Sequence, residues 1–277
     1  MRGTIQPLAL TFCLAVACRT GTDARAVTRA EKAMGGVFSV AAWSRDSASL
    51  VRAVNRAFAT VRQADAGQGD TTATLDSLRR LVALRAGLRL DSGRAARGRA
   101  LDRALGVLRG AVDSAILSIG GQYLIMTAGA RRVGIADPDN SLRSLAQLSV
   151  PPGAWSVSTV SLVEQSDPVV DPRTGKPADR VRAVSVLAPA AAAAGAWSMA
   201  FYVLGCDRAL ALAASVEVGV LCADDRVRWS SNLDGRVTVT TDSAVATAPV
   251  PAPAPARAAA AAANGSTALV ARSDSSR

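Results

Sequence analysis

Asp171-Pro172-Arg173-Thr174-Gly175-Lys176-Pro177 is the stretch from which the rest of the chain can be placed. Two prolines and a glycine within seven residues make a tight turn, and the lysine is followed by Pro177 rather than by Ser or Thr, which rules out a P-loop. On either side lie Trp155 to Val163 and Val181 to Leu187, short stretches rich in β-branched residues, which read as strands. Ile116 to Ile119 and Arg132 to Ala136 have the same character, bounded by glycine, proline or aspartate. Gly36 to Trp43 reads as a further strand, and Val216 to Leu221 with Val227 to Ser230 as a closing hairpin.

Helices lie between these strands. Leu50, Val54, Phe58 and Val61 recur at spacings of four, four and three and mark one apolar helix face, and Gly67-Gln68-Gly69-Asp70 breaks the helix. Leu75 to Leu88, Ala95 to Leu108, Ala190 to Leu204 and Ala209 to Ala214 are helical by composition or periodicity. Strands and helices mix without strict βαβ alternation, so the expected class is α+β, a mixed sheet with flanking helices.

The chain has 277 residues, 49% of them hydrophobic, enough for one sizeable core. Its net charge of +10 comes almost wholly from arginine, since Lys32 and Lys176 are the only lysines. The arginines are scattered and form no basic run interleaved with aromatics, so nucleic-acid binding is not expected. There is no histidine, which excludes Ser-His-Asp triads, HExxH motifs and His-based zinc sites.

The N-terminal apolar run from Pro7 to Ala17 has the length of a signal-peptide core and is too short to span a bilayer as a helix. Ala15-Val16-Ala17 satisfies the small-x-small cleavage rule, and Cys18 follows directly, as in a bacterial lipobox. Residues 1–17 are therefore expected to be a signal peptide and Cys18 a lipidation site, with ordinary cleavage before a free Cys18 as the alternative and a cytoplasmic protein with an apolar N-terminal helix as the bland reading. That organisation implies export to the periplasmic side of the envelope, membrane attachment through a lipid only, a linker over 18–30, a folded domain over 31–240 and a Pro/Ala-rich disordered tail over 241–277. Removing the signal leaves Cys206 and Cys222 in the folded body. Their places at a helix start and near the end of the next strand permit a disulfide without requiring it, and two separate buried thiols are the expectation.

Several ordered segments together resemble the FAD:protein FMN transferase family, the ApbE-type flavinyltransferases. Met34-Gly35-Gly36 is similar to the family's opening M-G-T, and Asp91-Ser92-Gly93-Arg94-Ala95-Ala96-Arg97-Gly98 to its D-L-G-G-I-A-K-G. Ile119-Gly120-Gly121 resembles its GGD turn, Val133 to Pro138 its V-G-I-x-D-P strand, and Asp171 to Pro177 the end of its H-x-I-D-P-R-T-G-x-P. Val203-Leu204-Gly205 resembles the end of its A-D-A-x-x-T-A-x-F-V-L-G helix.

The resemblance implies an α+β fold that binds FAD and magnesium and attaches FMN to a Ser or Thr of an acceptor flavoprotein, periplasmic or membrane-bound, with the chain itself a monomer. It implies cofactor contacts at Met34, Asp91, Arg97, Gly120, Gly121, Val170, Asp171, Arg173, Thr174 and Gly175. Glycine pairs let backbone amides approach a phosphate, and the Arg173-Thr174-Gly175 turn offers amides and a guanidinium. The Asp91, Gly120 and Asp171 turns are expected to meet around one diphosphate-sized cleft.

The departures from the family pattern fall on its chemistry. Gly195 and Met199 stand where the family has its metal-binding Asp and Thr, and neither supplies the hard oxygen that magnesium requires. Ser198 keeps the one hydroxyl between them and is the remaining candidate ligand. Pro168 replaces the family histidine, leaving Asp167 as the nearest carboxylate for proton handling. Gln122 replaces the acid after the glycine pair, and Arg94 puts a bulky side chain near the expected metal. These losses imply impaired transfer, with a non-catalytic flavin-binding or partner-binding envelope lipoprotein as the alternative. If the pocket were otherwise intact, restoring Gly195→Asp and Met199→Thr would restore magnesium-dependent FAD cleavage.

Overall fold

A computed structural model describes residues 25–67, 72–88, 93–161 and 168–240. Four sequence expectations, the signal segment 1–17, the lipidation site Cys18, the tail 241–277 and the candidate residues Asp91 and Asp167, lie outside the described residues.

The first two strands, β1 (Arg25–Ala33) and β2 (Gly36–Ser44), form a hairpin around Met34 and Gly35, whose φ angles are 52° and 72°. Two consecutive left-handed residues twist the chain as flanking strands require. β1 begins inside the stretch expected to be a linker, which corrects that boundary. Its exposed Arg25, Ala26, Thr28 and Arg29 give no apolar alternation to read, as suits a charged strand at a sheet edge.

Helix α1 (Ser47–Asp65) starts at Asp46, whose carboxylate accepts the N–H groups of Ala48 and Ser49 at 3.0 and 3.1 Å. The periodic residues Leu50, Val54, Phe58 and Val61 are all buried, with the Phe58 ring 4.7 Å from that of Phe38 on β2. Burying one such side chain contributes roughly 1.5–3 kcal/mol. Helices α2 (Thr72–Ala86) and α3 (Gly93–Leu108) follow.

Five strands come next: β3 (Ser114–Ile119), β4 (Gln122–Thr127), β5 (Arg131–Asp137), β6 (Asn140–Val150) and β7 (Gly153–Ser161). After β8 (Ala183–Ala188), helices α4 (Ala191–Leu204) and α5 (Cys206–Ala213) lead to β9 (Gly219–Ala223), β10 (Val227–Trp229) and β11 (Val237–Val239). The order β1-β2-β3-β4-β7-β8-β9-β10 makes one eight-stranded sheet, and β11-β6-β5 a three-stranded one. The α+β class holds. Where the sequence led to a mixed sheet, every neighbouring pair runs antiparallel.

Both faces of the large sheet are covered, and side-chain alternation divides its residues between them. Leu117, Leu124, Val186 and Val220 face the helices, whereas Ile116, Ile125, Leu187 and Leu221 pack with Ile135, Leu148 and Val150 of the small sheet. None of the described helices is long and apolar enough to cross a membrane.

Cys206, the first residue of α5, is joined to Cys222 of β9 by a disulfide. The expectation of two separate thiols is therefore corrected. Packing α5 over β9 brings the two Cα atoms to 5.6 Å, within bridging range.

Candidate flavin site

Strand register gathers the candidate turns at one end of the large sheet. Phe38 pairs with Ile119, Gln122 with Ser158, and Ser161 with Ala183. The Met34-Gly35 turn, the Gly120-Gly121 turn and the excursion between β7 and β8 that holds Asp171 therefore all leave from that end.

Gly120 and Gly121, at φ 43° and 65°, turn β3 into β4. A Cβ on Gly120 would lie 3.0 Å from a terminal nitrogen of the Arg97 guanidinium, so the arginine rests against the glycine backbone. Gly36 is also near, with the Gly120 nitrogen 3.8 Å from the place of its missing Cβ. Arg97, Gly120 and the start of β2 thus form one corner.

The Asp171 turn is closed from within. Asp171 N–H donates to Lys176 O at 2.8 Å, and Gly175 N–H to Asp171 O at 2.9 Å. Val170 bridges Pro177 at its base. Arg173 N–H donates to Asp171 Oδ1 at 2.9 Å, Thr174 N–H to Asp171 O at 3.2 Å, and Lys176 N–H to Thr174 Oγ1 at 3.2 Å. The Arg173 guanidinium grips both oxygens of the same carboxylate, with Nη2 2.7 Å from Oδ2. That pairing pulls the Asp171 pKa down to about 2. The Arg173, Thr174 and Gly175 amides and the guanidinium expected to serve an anion are thus already engaged inside the turn.

Lys176 and Arg180 supply further cationic groups to the cleft of about 550 Å³ that the turn lines with Asp179 and Val203. A second cleft of about 460 Å³ lies at the first hairpin, lined by residues Lys32 to Val37 and Asp65. The two share no residue. The Gly120 and Asp171 turns stand at the same end of the sheet, and Gly120 lines neither of these two clefts.

The α3–α4 junction holds the expected metal position. Asp102 accepts N–H groups from Ala191 and Ala192 at 2.8 and 3.0 Å, and the Gln122 side-chain amide donates to the Ala191 carbonyl. Arg94 is buried, with Nη1 donating to Thr159 O at 2.6 Å. Burial pushes the Asp102 pKa up, against the opposing pull of its two N–H donors.

Ser198, expected as a residual metal ligand, is fully buried instead. Its hydroxyl meets Ser158 Oγ at 2.8 Å and the Gly195 carbonyl at 3.1 Å, so it is turned into the core. Among the described residues no three His, Cys, Asp or Glu side chains group to hold an ion. With Gly195 and Met199 offering no side-chain oxygen, the described residues of this junction do not fit magnesium.

The ApbE family matches residues 29–222 of the chain. The chain belongs to the ApbE family. An FAD:protein FMN transferase of Treponema pallidum (strain Nichols) is 32% identical over 179 residues, in an alignment that covers 56% of this chain and 49% of the relative. The chain thus spans about half the length of that curated relative. The flavin transferase ApbE from Vibrio cholerae superposes with a TM-score of 0.61 at 17% identity, covering 77% of this chain and all (100%) of the other. An apo flavinyl transferase ApbE from Pseudomonas stutzeri gives 0.61 at 15% identity, covering 77% and 97%. At those identities the likeness shows the ApbE fold alone.

Within that fold, the Asp102 cap, the Gln122–Ala191 bond and the buried Arg94 were not foreseen as a connected set. One signal was legible: α4 begins at an alanine that makes no side-chain cap bond, so its first amides need a partner from elsewhere.

Proposed function

We propose that the chain binds the dinucleotide FAD at the sheet end formed by the Asp171 turn and the Arg97–Gly120 corner, and that its transfer of FMN to a Ser or Thr of an acceptor flavoprotein is impaired. The observation that carries this reading is the Asp171 cleft, where Lys176 and Arg180 accompany the closed turn in a family whose relative bears the name FAD:protein FMN transferase. Lysine and arginine side chains suit a diphosphate by charge, and the closed turn fixes the backbone that carries Lys176. FAD would supply the pyrophosphate whose cleavage releases FMN for transfer.

Met34, Asp91, Arg97, Gly120, Gly121, Val170, Asp171, Arg173, Thr174 and Gly175 are the proposed cofactor-binding residues, with Arg173 acting by shaping the turn. Asp167 is the proposed acceptor of the proton from the incoming hydroxyl. The impairment follows from the side-chain oxygens missing at Gly195 and Met199, because phosphoryl transfer depends on neutralising charge on the transferred group.

The Cys206–Cys222 disulfide supports an exported protein, since such bonds persist in oxidising compartments. With the Ala15-Val16-Ala17-Cys18 segment it favours a lipid-anchored protein on the periplasmic side of the envelope.

Titration of flavin fluorescence with the full chain tests this reading. Saturable FAD binding that persists in EDTA is expected, with little or no mass gain on an acceptor flavoprotein. Absence of FAD binding with and without magnesium would sink it.

A further inference from the structure

Two glycines set how closely α3 and α4 approach. A Cβ on Gly98 would stand 2.2 Å from the Ala191 carbonyl oxygen, and one on Gly195 would stand 2.6 Å from the Arg94 carbonyl oxygen and 2.9 Å from its carbon. These obstacles are backbone atoms, which cannot rotate aside as a side chain could. The contact is therefore direct, backbone against backbone, along the first two turns of both helices.

The same junction is tied by polar groups. Asp102 bonds two amides at the start of α4, and Gln122 bonds the Ala191 carbonyl from β4. Arg94 extends from the first turn of α3 to the Thr159 carbonyl on β7. Gln122 also closes on Gly195, with its amide nitrogen 3.1 Å from the place of the missing Cβ. Each of these links uses protein atoms alone.

We infer that the α3–α4 junction is a metal-independent clamp, in which helix backbone, Gln122 and Arg94 fill the space that a side chain at 195 would need to reach an ion. Gly195 is then more than a lost ligand: its lack of a side chain is what allows the clamp to close. Restoring the family aspartate at 195 is refused sterically, so the pair Gly195→Asp with Met199→Thr fails to create a magnesium site. For flavin binding the inference rests on the reading proposed above; for the clamp itself it does not.

The experiment measures thermal midpoints of the full chain in magnesium, in manganese and in EDTA, with manganese binding followed by electron paramagnetic resonance. Identical midpoints and free manganese are expected, and a midpoint that rises with metal overturns the clamp. Gly195→Ala and Gly98→Ala then separate sterics from helix propensity, because alanine favours a helix over glycine. Both are expected to lower the midpoint, whereas Gly106→Ala, in the same helix α3 with nothing within 4 Å of its added Cβ, is expected to raise it. A Gly195→Ala chain as stable as the parent or more so overturns the inference, and a variant too unstable to purify beside a normal Gly106→Ala supports it. FAD titration runs in parallel: loss of flavin binding in every condition defeats the functional reading while leaving the clamp to be judged by the midpoints.

Discussion

Asp102 on α3 accepts the backbone N–H of Ala191 at 2.8 Å, so the first turn of α4 is capped by another helix. Ala190 at the N-cap position of α4 makes no side-chain bond of its own. The arrangement joins an anion to the positive end of a helix dipole but takes that anion out of water, and the second effect prevails because the Asp102 pKa is raised. Asp102→Ala is expected to lower stability by about 1–2 kcal/mol in urea unfolding, as for other lost caps. The pH dependence has a definite sign. A carboxyl whose folded pKa lies above its ordinary 3.8 contributes its full stability below that value and loses it as pH rises through the folded value. Asp102→Asn removes this titration, so the stability of the parent relative to the variant is expected to fall as pH rises through that window.

The Asp171–Arg173 pair gives the opposite sign. Arg173 holds the Asp171 pKa at about 2, so the pairing is fully present above the ordinary 3.8 and is lost as pH falls toward 2. The Asp171 carboxyl followed by carbon NMR is expected to titrate near 2 in the parent chain and to move back toward 3.8 in Arg173→Ala. A midpoint that stays low in the variant would mean that the turn's amides, rather than the guanidinium, hold the charge.

These two carboxylates also mark how far the sequence could be read. Asp171 was legible as part of a turn because proline and glycine announce turns locally. That Arg173, Thr174, Gly175 and Lys176 spend their amides inside that turn depends on its closed geometry, which composition does not disclose. Helix α1 was legible because its periodic residues are the ones buried, but β6 was not. Its buried Ala146, Leu148 and Val150 follow the rule, whereas Leu142 is 90% exposed and the register shifts near Ile135 and Ala136 break the alternation. At position 195 the sequence showed a missing oxygen. That the same glycine admits a second helix backbone is a three-dimensional fact, since Arg94 is distant in the chain.

The Cys206–Cys222 bond closes a loop of sequence separation 16 and holds α5 against β9. A loop of that size contributes roughly 3 kcal/mol by restricting the unfolded chain. The Cys206→Ser, Cys222→Ser double variant is therefore expected to unfold at a clearly lower denaturant concentration than the parent. Intact mass before and after reduction and alkylation checks that the parent carries the bond. Equal stability of the oxidised parent and the double variant would show that packing of Ala209 and Ala213 holds α5 without it.

Met34 occupies the first position of a two-residue hairpin turn with φ 52°, a conformation that favours asparagine or glycine over a long side chain. Holding an unbranched residue there costs on the order of 1 kcal/mol. Met34→Asn, keeping Gly35 behind it, is therefore expected to raise the thermal midpoint of the chain. The same substitution removes a side chain that lines the cleft between Lys32 and Val37 and that the family resemblance makes a flavin contact. A residue retained against its local turn preference is expected where function requires it, so the stabilised variant is also expected to bind FAD more weakly. Fluorescence titration beside the melting curve separates the two effects. A gain in stability with unchanged FAD affinity would assign Met34 to the hairpin alone and confine the flavin contacts to the Gly120 and Asp171 turns.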